Sequence, residues 1–314
     1  MALFKTAKQN LKNSTLLKDR YIVPPFSILN SITGTWQNRK DRWESLGIYS
    51  ADGRDVKRNN AMPINTFSAR GIQAKEPERT STFDPVLCEI VYKWFSKPGY
   101  TVLDPFAGGS VRGIVANALG RHYTGVDINP TQIEANEAQL SKYSENYISD
   151  GSTKWILGDA THLSEYPIGD KDFDLVFTCP PYYNLEVYTK LPEDLSTCGT
   201  YTEFKYKYGL ALRNAARRLK DDRFFVLVVS EIRNWVTGEY YGFVPDSIKI
   251  LMDAGLTYYN EVILENNIGS LPIRAPKYFD QSRKIGKMHQ NILVFYKGNT
   301  KNIEAEFGKF SEGD

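Results

Sequence analysis

The sequence has few of the residues that build disulfide frameworks or metal centres. Its 314 residues include only three cysteines and three histidines, scattered along the chain. Cysteines this sparse do not form the paired framework of a small secreted domain, so we expect a reduced, cytosolic protein. Histidines this scattered do not have the spacing of a zinc cluster, so we expect no metal.

Long hydrophobic runs are also missing. The longest apolar stretches, such as residues 224–229, are far shorter than the roughly 20 residues that span a bilayer. The first ten residues contain lysines with no apolar stretch behind them, which is not the pattern of a signal peptide. The sequence therefore predicts a cytoplasmic protein that does not bind a membrane.

Neither sign of charge dominates the chain, but charge is unevenly distributed. The formal net charge is +2, whereas residues 1–80 carry 14 Lys and Arg against 7 Asp and Glu. A second basic segment, residues 270–290, has one acidic residue and five basic ones: Arg274, Lys277, Arg283, Lys284 and Lys287. Local basic surfaces favour phosphate contact, although a charge run is also typical of ordinary solvated surface.

Composition and hydrophobic periodicity indicate an α/β fold. Apolar residues make up 41% of the chain and charged residues 24%, close to the globular average. From residue 81 onward, helical patterns separate short apolar strands near residues 101–103, 123–126, 155–157, 173–177, 224–229, 256–264 and 291–296. This alternation predicts a mostly parallel seven-stranded sheet with helices on both faces. The last two strands, joined by a long connection, predict an antiparallel edge strand.

The chain divides into an extension, a core and a tail. Residues 1–80 are basic and contain interleaved aromatics, and we expect an extension that packs on a core or a ligand. Residues 81–300 carry the α/β pattern, and residues 301–314 form a short tail. The connection at residues 265–290 exceeds the usual length of a loop, which favours a functional role such as phosphate contact.

The first candidate site is a glycine-rich turn after the first strand. Residues 102–110 read Val-Leu-Asp-Pro-Phe-Ala-Gly-Gly-Ser, which places the Asp104 carboxylate between a buried strand and a turn that opens a helix. Glycines let the backbone approach a ligand, and open α/β sheets bind ligands at the carboxyl ends of their strands. Asp127 ends the next strand, where an acid can accept hydrogen bonds from ribose hydroxyls. Together these features favour an adenosine-containing cofactor.

Two other nucleotide-binding classes fit this turn poorly. A nicotinamide enzyme more typically has G-x-G-x-x-G, and a phosphate-cradling NTPase has the Walker lysine. Neither pattern is present in residues 102–112.

The second candidate site is a double proline at the end of the fourth strand. Residues 174–183 read Asp-Leu-Val-Phe-Thr-Cys-Pro-Pro-Tyr-Tyr. Proline has no backbone donor, so the two prolines fix the backbone and direct their carbonyls toward a ligand. The adjacent tyrosines offer a flat platform for a base.

Taken together, the two motifs resemble those of the amino-methyltransferases that act on exocyclic nitrogens of DNA bases. That family has D-P-F-x-G-S-G for the cofactor and [D/N/S]-P-P-Y for catalysis, and residues 104–110 and 179–182 follow in the same order. The resemblance covers roughly residues 81–298. Residues 25–29 and 36–40 look like those of phage-encoded DNA methylases, which implies a bacterial or phage-infected cell and a link to restriction-modification.

The resemblance implies a Rossmann-like class I methyltransferase fold and S-adenosylmethionine as cofactor. Asp104, Phe106 and Gly108 would then line the methionine end. Asp127 would hold the ribose, and Asp159 would lie near the adenine amine. The other residues that the match assigns to the cofactor are Phe83, Pro105, Ala107, Gly109, Ser110, Ile128 and Ala160.

The resemblance also implies direct methyl transfer to a base turned out of duplex DNA. The catalytic tetrapeptide would be Cys179, Pro180, Pro181 and Tyr182. The carbonyl of Pro180 would accept a hydrogen bond from the base's amino group and hold its nitrogen in line with the sulfonium methyl. Tyr182 would stack on the flipped base. Tyr183 and the five cations of residues 270–290 would contact DNA.

The sequence departs from the family pattern at two places, and the second leaves the target base open. Residues 108–111 read Gly-Gly-Ser-Val, so either Ser110 donates to the cofactor or the turn has a different shape. Cysteine stands where aspartate or asparagine often accompanies adenine N6 chemistry and serine often accompanies cytosine N4 chemistry. Cys179 is closer in size to serine, which favours cytosine N4, with adenine N6 as the alternative. A Cys179 nucleophile for C5 methylation is a further interpretation.

Other functions remain open at this point. Related double-proline motifs serve RNA and protein-glutamine methyltransferases, although the basic extension favours nucleic acid over a protein loop. A scaffold that binds the cofactor without transferring a methyl group is the non-enzymatic alternative, for which Cys179 is the main argument.

Overall fold

A mixed β-sheet forms the centre of the structure, a computed structural model that describes residues 17–48, 57–58, 83–168, 172–183, 185–189, 191–234 and 236–310. The strands are β1 (Ile28–Asn30), β2 (Lys57–Arg58), β3 (Thr101–Asp104), β4 (His122–Asp127), β5 (Ser152–Leu157), β6 (Phe173–Thr178), β7 (Glu186–Val187), β8 (Leu219–Val229), β9 (Thr257–Glu265) and β10 (His289–Lys297). Eight of them form one sheet in the order β1-β9-β10-β8-β6-β3-β4-β5, and β2 pairs with β7 separately.

Helices alternate with these strands along the chain. They are α1 (Gly34–Ser45), α2 (Pro85–Phe95), α3 (Val111–Ala118), α4 (Pro130–Ser144), α5 (Tyr201–Arg217), α6 (Phe243–Asp253), α7 (Leu271–Ser282) and α8 (Ile303–Phe307). Short 3-10 segments occur at Ala160–Glu165, Leu195–Thr197 and Thr300–Asn302. Within the described ranges, no helix has the length and apolar character needed to cross a membrane.

The strand directions confirm the predicted, mostly parallel α/β fold. Strands β8, β6, β3, β4 and β5 pair in parallel, and β10 is antiparallel to both of its neighbours, β8 and β9. The sheet has eight strands instead of the predicted seven because β1, from the extension, pairs in parallel with β9.

The antiparallel strand β10 lies inside the sheet and not at its edge. Residues 291–296 of β10 are all buried, whereas exposed positions recur along β9. A strand that is apolar on both sides needs cover on both faces and a partner on each edge, so it takes the inner position. The sequence pattern of β10 therefore suits its place between β8 and β9.

The core has two halves, one on each face of the sheet. Side chains of β6 alternate between them: Leu175 and Phe177 pack with helices α1 to α4, and Val176 packs with α5 and α6. This alternation is the period-2 geometry of a strand buried on both faces. It explains why β6 reads as a continuous apolar run.

Part of the N-terminal extension packs on helix α2. Trp36 of α1 is 2% exposed, and its indole nitrogen donates to a carboxylate oxygen of Asp84 at 3.1 Å. Arg39 and Trp43, also on α1, both bond to Glu89 of α2, at 2.6 and 2.9 Å. These contacts hold α1 beside the first turn of α2.

The connection at residues 265–290 is largely helical, which corrects the expectation of a loop. Helix α7 spans Leu271–Ser282, and none of its side chains is buried. Its two prolines, Pro272 and Pro276, suggest a turn in sequence. However, Pro272 lies in the first turn of the helix, where a missing donor costs nothing.

Candidate active site

The carboxyl ends of the parallel strands open onto one large cavity of about 840 Å³. It extends from the ends of β4 and β5 to the end of β6. Twelve of the residues predicted for cofactor binding and catalysis line it: Phe83, Pro105, Phe106, Gly108, Asp127, Ile128, Asp159, Ala160, Cys179, Pro180, Pro181 and Tyr182. The structure thus brings the glycine-rich turn and the double proline to a common site.

Asp104, predicted to line the methionine end, does not line the cavity. Its carboxylate is fully buried and accepts hydrogen bonds from Arg112 Nε at 2.6 Å and Tyr123 Oη at 2.7 Å. Thr178 Oγ1 of β6 donates to its other oxygen at 2.7 Å. A carboxylate used in this way joins β3, β4 and β6 beneath the site.

The remaining turn residues also lie outside the cavity lining. Ala107, Gly109 and Ser110 are buried and are not part of its lining. The hydroxyl of Ser110 bonds to Gln139 of α4. This bond directs the Ser110 hydroxyl toward α4, which does not favour the expectation that Ser110 donates to the cofactor.

Asp127 supports the turn and faces the cavity. Its carboxylate oxygens accept hydrogen bonds from the backbone nitrogens of Gly108 and Asn129, at 2.7 and 2.9 Å. Gly108 has a φ of +50°, a left-handed conformation that favours glycine. Asp127 also lines the cavity, and a carboxylate oxygen is an acceptor that suits a ligand hydroxyl.

Asp159 is held in a similar way at the end of β5. It caps the following 3-10 segment by accepting from the backbone nitrogen and the hydroxyl of Thr161, at 2.8 and 2.7 Å. The preceding Gly158 lies against the Tyr166 ring, where an added Cβ would come within 2.7 Å. Local capping thus fixes the second acid of the cavity.

The double-proline segment carries a short chain of side-chain contacts. Tyr182 Oη lies 3.8 Å from Cys179 Sγ and accepts a hydrogen bond from the Gln290 amide at 3.2 Å. The ring of Tyr182 meets Phe243 edge-on, with 5.8 Å between centroids. Burial raises the pKa of the Tyr182 phenol well above its ordinary value, so it stays protonated at neutral pH.

Tyr183, predicted to contact DNA, lies in the core. Its side chain is 5% exposed and packs edge-on against the rings of Tyr201 and Tyr241. The residue has a φ of +43°, a left-handed conformation that is uncommon for a residue other than glycine. Its ring is therefore not available to stack on a base.

The five basic residues predicted for DNA contact lie on or after α7 and do not line the cavity. Arg274 and Lys277 are exposed on the helix. Arg283 is also exposed and lies over the Phe279 ring at 5.1 Å. Lys284 and Lys287 are half-buried, and burial lowers the pKa of the Lys287 ammonium.

Several polar cavity residues have no part in either motif. They include Gln37 and Lys40 on α1, Arg112 on α3, Asn266 and Asn267 after β9, and Gln290 on β10. Only Arg112 had a signal in the sequence, since it directly follows the turn that departs from the family pattern. The others come from distant segments, and no local pattern connects them.

The N-terminal part of the chain, which includes the glycine-rich turn, matches a known family. Residues 5–138 match the family model for N6/N4 methyltransferases, which describes DNA methylases. This part of the chain is similar to the N6/N4 DNA methylases. It is also 34% identical over 74 residues to the type II methyltransferase M.HinfI of Haemophilus influenzae, a match that covers 24% of this chain and 20% of that protein. These matches confirm the resemblance to DNA amino-methyltransferases that the motifs indicated.

The similarity covers a limited part of the relative, since the chain matches about a fifth of the length of M.HinfI. Among solved structures, TrmN from Thermus thermophilus has a TM-score of 0.45 and 15% identity, over 69% of this chain and 50% of that one. Magnesium protoporphyrin IX methyltransferase from Synechocystis, solved with bound SAM, has a TM-score of 0.44 and 15% identity, over 68% and 79%. The α/β fold itself is established by the strand order and directions.

Proposed function

We propose that this protein transfers a methyl group from S-adenosylmethionine to the exocyclic amino group of a DNA base. The observation that carries the proposal is the cavity shared by the glycine-rich turn and the double proline, since a donor and an acceptor must meet in one place. The relationship to the N6/N4 DNA methylases supports the same reaction and substrate.

The cofactor half of the cavity suits an adenosine. Asp127 and Asp159 follow neighbouring strands and offer acceptors for ribose hydroxyls and an adenine amine. Ile128 adds apolar surface for the adenine, and Phe106 lines the cavity toward the methionine end. A cavity of about 840 Å³ lies within the range of roughly 300–1,000 Å³ that is usual for ligand pockets.

The acceptor half of the cavity suits a flat base with an amino group. S-adenosylmethionine supplies an electrophilic methyl on sulfur, so the chain must hold and orient an amine. The carbonyl of Pro180 accepts one N–H of that amine, and the Tyr182 ring stacks on the base. Stacking on an aromatic ring is worth about 1–3 kcal/mol per base, which offsets the few kcal/mol of unstacking.

The favoured target is N4 of cytosine, with N6 of adenine as the alternative. The choice depends on Cys179, whose thiol is close to serine in size and is a weaker hydrogen-bond acceptor than a carboxylate or an amide. A small first residue leaves the Pro180 carbonyl as the main acceptor for the amine.

DNA is proposed to contact helix α7 and the segment after it. The side chains of Arg274, Lys277 and Arg283 are exposed to solvent on this segment. Exposed cations of this kind can contact the phosphates of DNA. Lys284 and Lys287 follow on the chain and extend the same basic segment. In the N-terminal extension, proposed as residues 1–80, α1 contributes Gln37 and Lys40 to the cavity wall.

The proposal is tested by following the methyl group. The protein is incubated with methyl-labelled S-adenosylmethionine and DNA, RNA or protein extract, and labelled products are digested and weighed as nucleosides or amino acids. We expect label on DNA as N4-methylcytosine. N6-methyladenine would select the alternative target, 5-methylcytosine would indicate a Cys179 nucleophile, and label only on RNA or protein would contradict the proposal.

Variants of the double-proline segment separate chemistry from cofactor binding. Pro180→Ala and Tyr182→Ala are expected to lower methyl transfer at least 100-fold, because the first removes the ring that fixes the direction of the carbonyl and the second removes the stacking ring. S-adenosylhomocysteine should bind within a few-fold of the unaltered protein, because neither side chain belongs to the adenosine half. Equal losses of transfer and cofactor affinity would contradict these roles.

A further inference from the structure

Arg112 is a buried cation within the cavity lining. Its side chain is 5% exposed and lies on α3, directly after the glycine-rich turn. Charged side chains are rarely this buried unless their charge and donors are used. Two of its three nitrogens have an evident use in the fold, and the third does not.

The first two nitrogens hold the turn. Nε donates to Asp104 at 2.6 Å, and Nη2 donates to the carbonyl oxygens of Phe106 and Ala107 at 2.7 and 2.9 Å. The guanidinium also lies over the Phe83 ring, 4.5 Å from its centroid. A planar group held at this many points has a fixed orientation before any ligand arrives.

The third nitrogen, Nη1, makes no hydrogen bond to any residue that the structure describes. In that part of the chain, the buried side-chain nitrogens and oxygens that lack both a partner and solvent are Trp155 Nε1 and Tyr258 Oη. Nη1 is not one of them, and Arg112 lines the cavity, so among the described residues Nη1 is the guanidinium nitrogen left for a cavity ligand.

Charge decides which ligand group suits this nitrogen. Burial by itself would lower the pKa of Arg112, but Asp104 and other neighbours raise it above its ordinary value, so the guanidinium is always charged. In S-adenosylmethionine the adenine and ribose are neutral, and the sulfonium and ammonium are cations. Its one anionic group is the carboxylate of the methionine end.

We infer that Nη1 of Arg112 binds the methionine carboxylate of S-adenosylmethionine. This inference rests on the proposed function, and it assigns a ligand contact to a residue outside both motifs. The carboxylate would lie beside the turn that Arg112 holds, while Asp127 and Asp159 take the adenosine end. A DNA phosphate offers the same chemistry, but a side chain that is 5% exposed favours the small ligand within the cavity.

The test compares two ligands by calorimetry: S-adenosylhomocysteine and its decarboxylated analogue, which lacks only the carboxylate. We expect the unaltered protein to bind the first at least tenfold more tightly. In Arg112→Gln this preference should fall to about twofold or less. Asp104→Asn is the matched control, because it breaks the same buried ion pair but keeps the guanidinium, and it should retain most of the preference.

Three outcomes would overturn the inference. The first is an unaltered protein that shows no preference between the two ligands. The second is an Arg112→Gln variant that loses affinity for both ligands equally. The third is an Arg112→Gln variant that loses only DNA affinity, which would assign Arg112 to a phosphate. If Arg112→Gln does not fold, Arg112→Lys replaces it. We then expect the preference for S-adenosylhomocysteine over its decarboxylated analogue to fall fivefold, and an unchanged preference would count against the inference. An unaltered protein that binds neither ligand would contradict the proposed function itself.

Discussion

At the scale of single residues, the acids of the site serve the fold as well as the ligand. Asp127 holds the backbone of Gly108, and Asp159 caps the segment after β5. Asp104 is wholly occupied by the interior, where Arg112, Tyr123 and Thr178 surround it. A motif acid can therefore matter for the fold without touching a ligand.

Cys179 gives a prediction that separates direct transfer from a covalent mechanism. In direct transfer the side chain only borders the amine, so Cys179→Ser should keep methyl transfer within about tenfold of the unaltered rate. A hydroxyl at that position cannot replace a thiolate nucleophile, which is deprotonated far more readily. Single-turnover rates with labelled cofactor check this, and a loss beyond 1,000-fold would indicate the covalent route.

Gly113 gives a prediction about packing. It lies inside α3, and a Cβ added there would come within 2.7 Å of the Trp155 ring and 2.9 Å of the Thr153 methyl. Gly113→Ala should therefore destabilise the protein by about 1–3 kcal/mol, despite the better helix propensity of alanine. Urea unfolding measures the change. Gly34→Ala is the control, because no atom lies within 4 Å of its added Cβ, and a similar loss there would contradict the packing argument.

At the scale of elements, strand β6 is connected to its neighbours by the carboxylate of Asp174, near the start of the strand. Asp174 is mostly buried and accepts hydrogen bonds from Lys220 of β8 and from the backbone and hydroxyl of Thr101 of β3. Burial alone would raise the pKa of Asp174, but these donors lower it below its ordinary value. One carboxylate thus joins three strands at the end opposite the site.

The lowered pKa of Asp174 sets the pH range in which it stabilises the fold. Its contribution is complete above the unfolded pKa of about 4 and is lost as pH falls through the lower folded value. Asp174→Asn should cost about 1–3 kcal/mol at pH 7, and less as the pH falls below about 4.

Urea unfolding across pH 3 to 7 checks this prediction. Asp253→Asn is the control, since Asp253 pairs with Lys249 on the surface of α6 and should cost about 0.5 kcal/mol or less. A constant cost of Asp174→Asn down to pH 3 would show that its charge does not stabilise the sheet.

Helix α7 gives a prediction about DNA. Replacing both Arg274 and Lys277 by alanine should weaken DNA binding and reduce the slope of log affinity against log salt by up to about 2, because each phosphate contact contributes about 0.9. Affinity for S-adenosylhomocysteine should not change, as neither residue lines the cavity.

Fluorescence anisotropy at several salt concentrations measures the slope. The control removes two exposed lysines elsewhere, Lys142 of α4 and Lys301 of the C-terminal 3-10 segment. An equal effect of both pairs would mean that α7 contributes only to a general positive charge.

At the scale of the whole molecule, the cavity depends on segments from most of the chain. Its lining comes from α1 in the extension, from the ends of the central strands, and from residues after β9 and in β10. The unfolded chain has no such cavity, so a cavity ligand must stabilise the fold by mass action.

S-adenosylhomocysteine should therefore raise the midpoint of thermal unfolding. At 100 times its dissociation constant the stabilisation is about 2.7 kcal/mol, which corresponds to several degrees for a chain of this size. Adenosine monophosphate at the same concentration is the control and should stabilise less, since it lacks the methionine end. Equal shifts from the two ligands would contradict a methionine-binding half.

The local motifs of the site were predictable, and its supporting contacts were not. Short patterns identified Pro180 and Tyr182 after one strand and Asp127 at the end of another. Their meeting in one site was predictable because strand ends converge in a parallel sheet. The inward turn of Tyr183 was missed, because two adjacent tyrosines look alike in sequence. The helix at 271–282 was missed because its two prolines resemble a turn.

The sequence by itself determined the α/β alternation, the order of the two motifs and the resemblance to the DNA methylases, because each of these depends on short runs of neighbouring residues. Tertiary structure alone decided that Asp104 is interior, that β1 adds an eighth strand and that Arg112 lines the cavity. Those outcomes depend on which distant side chains fill the space around each group, and packing of that kind has no local signature.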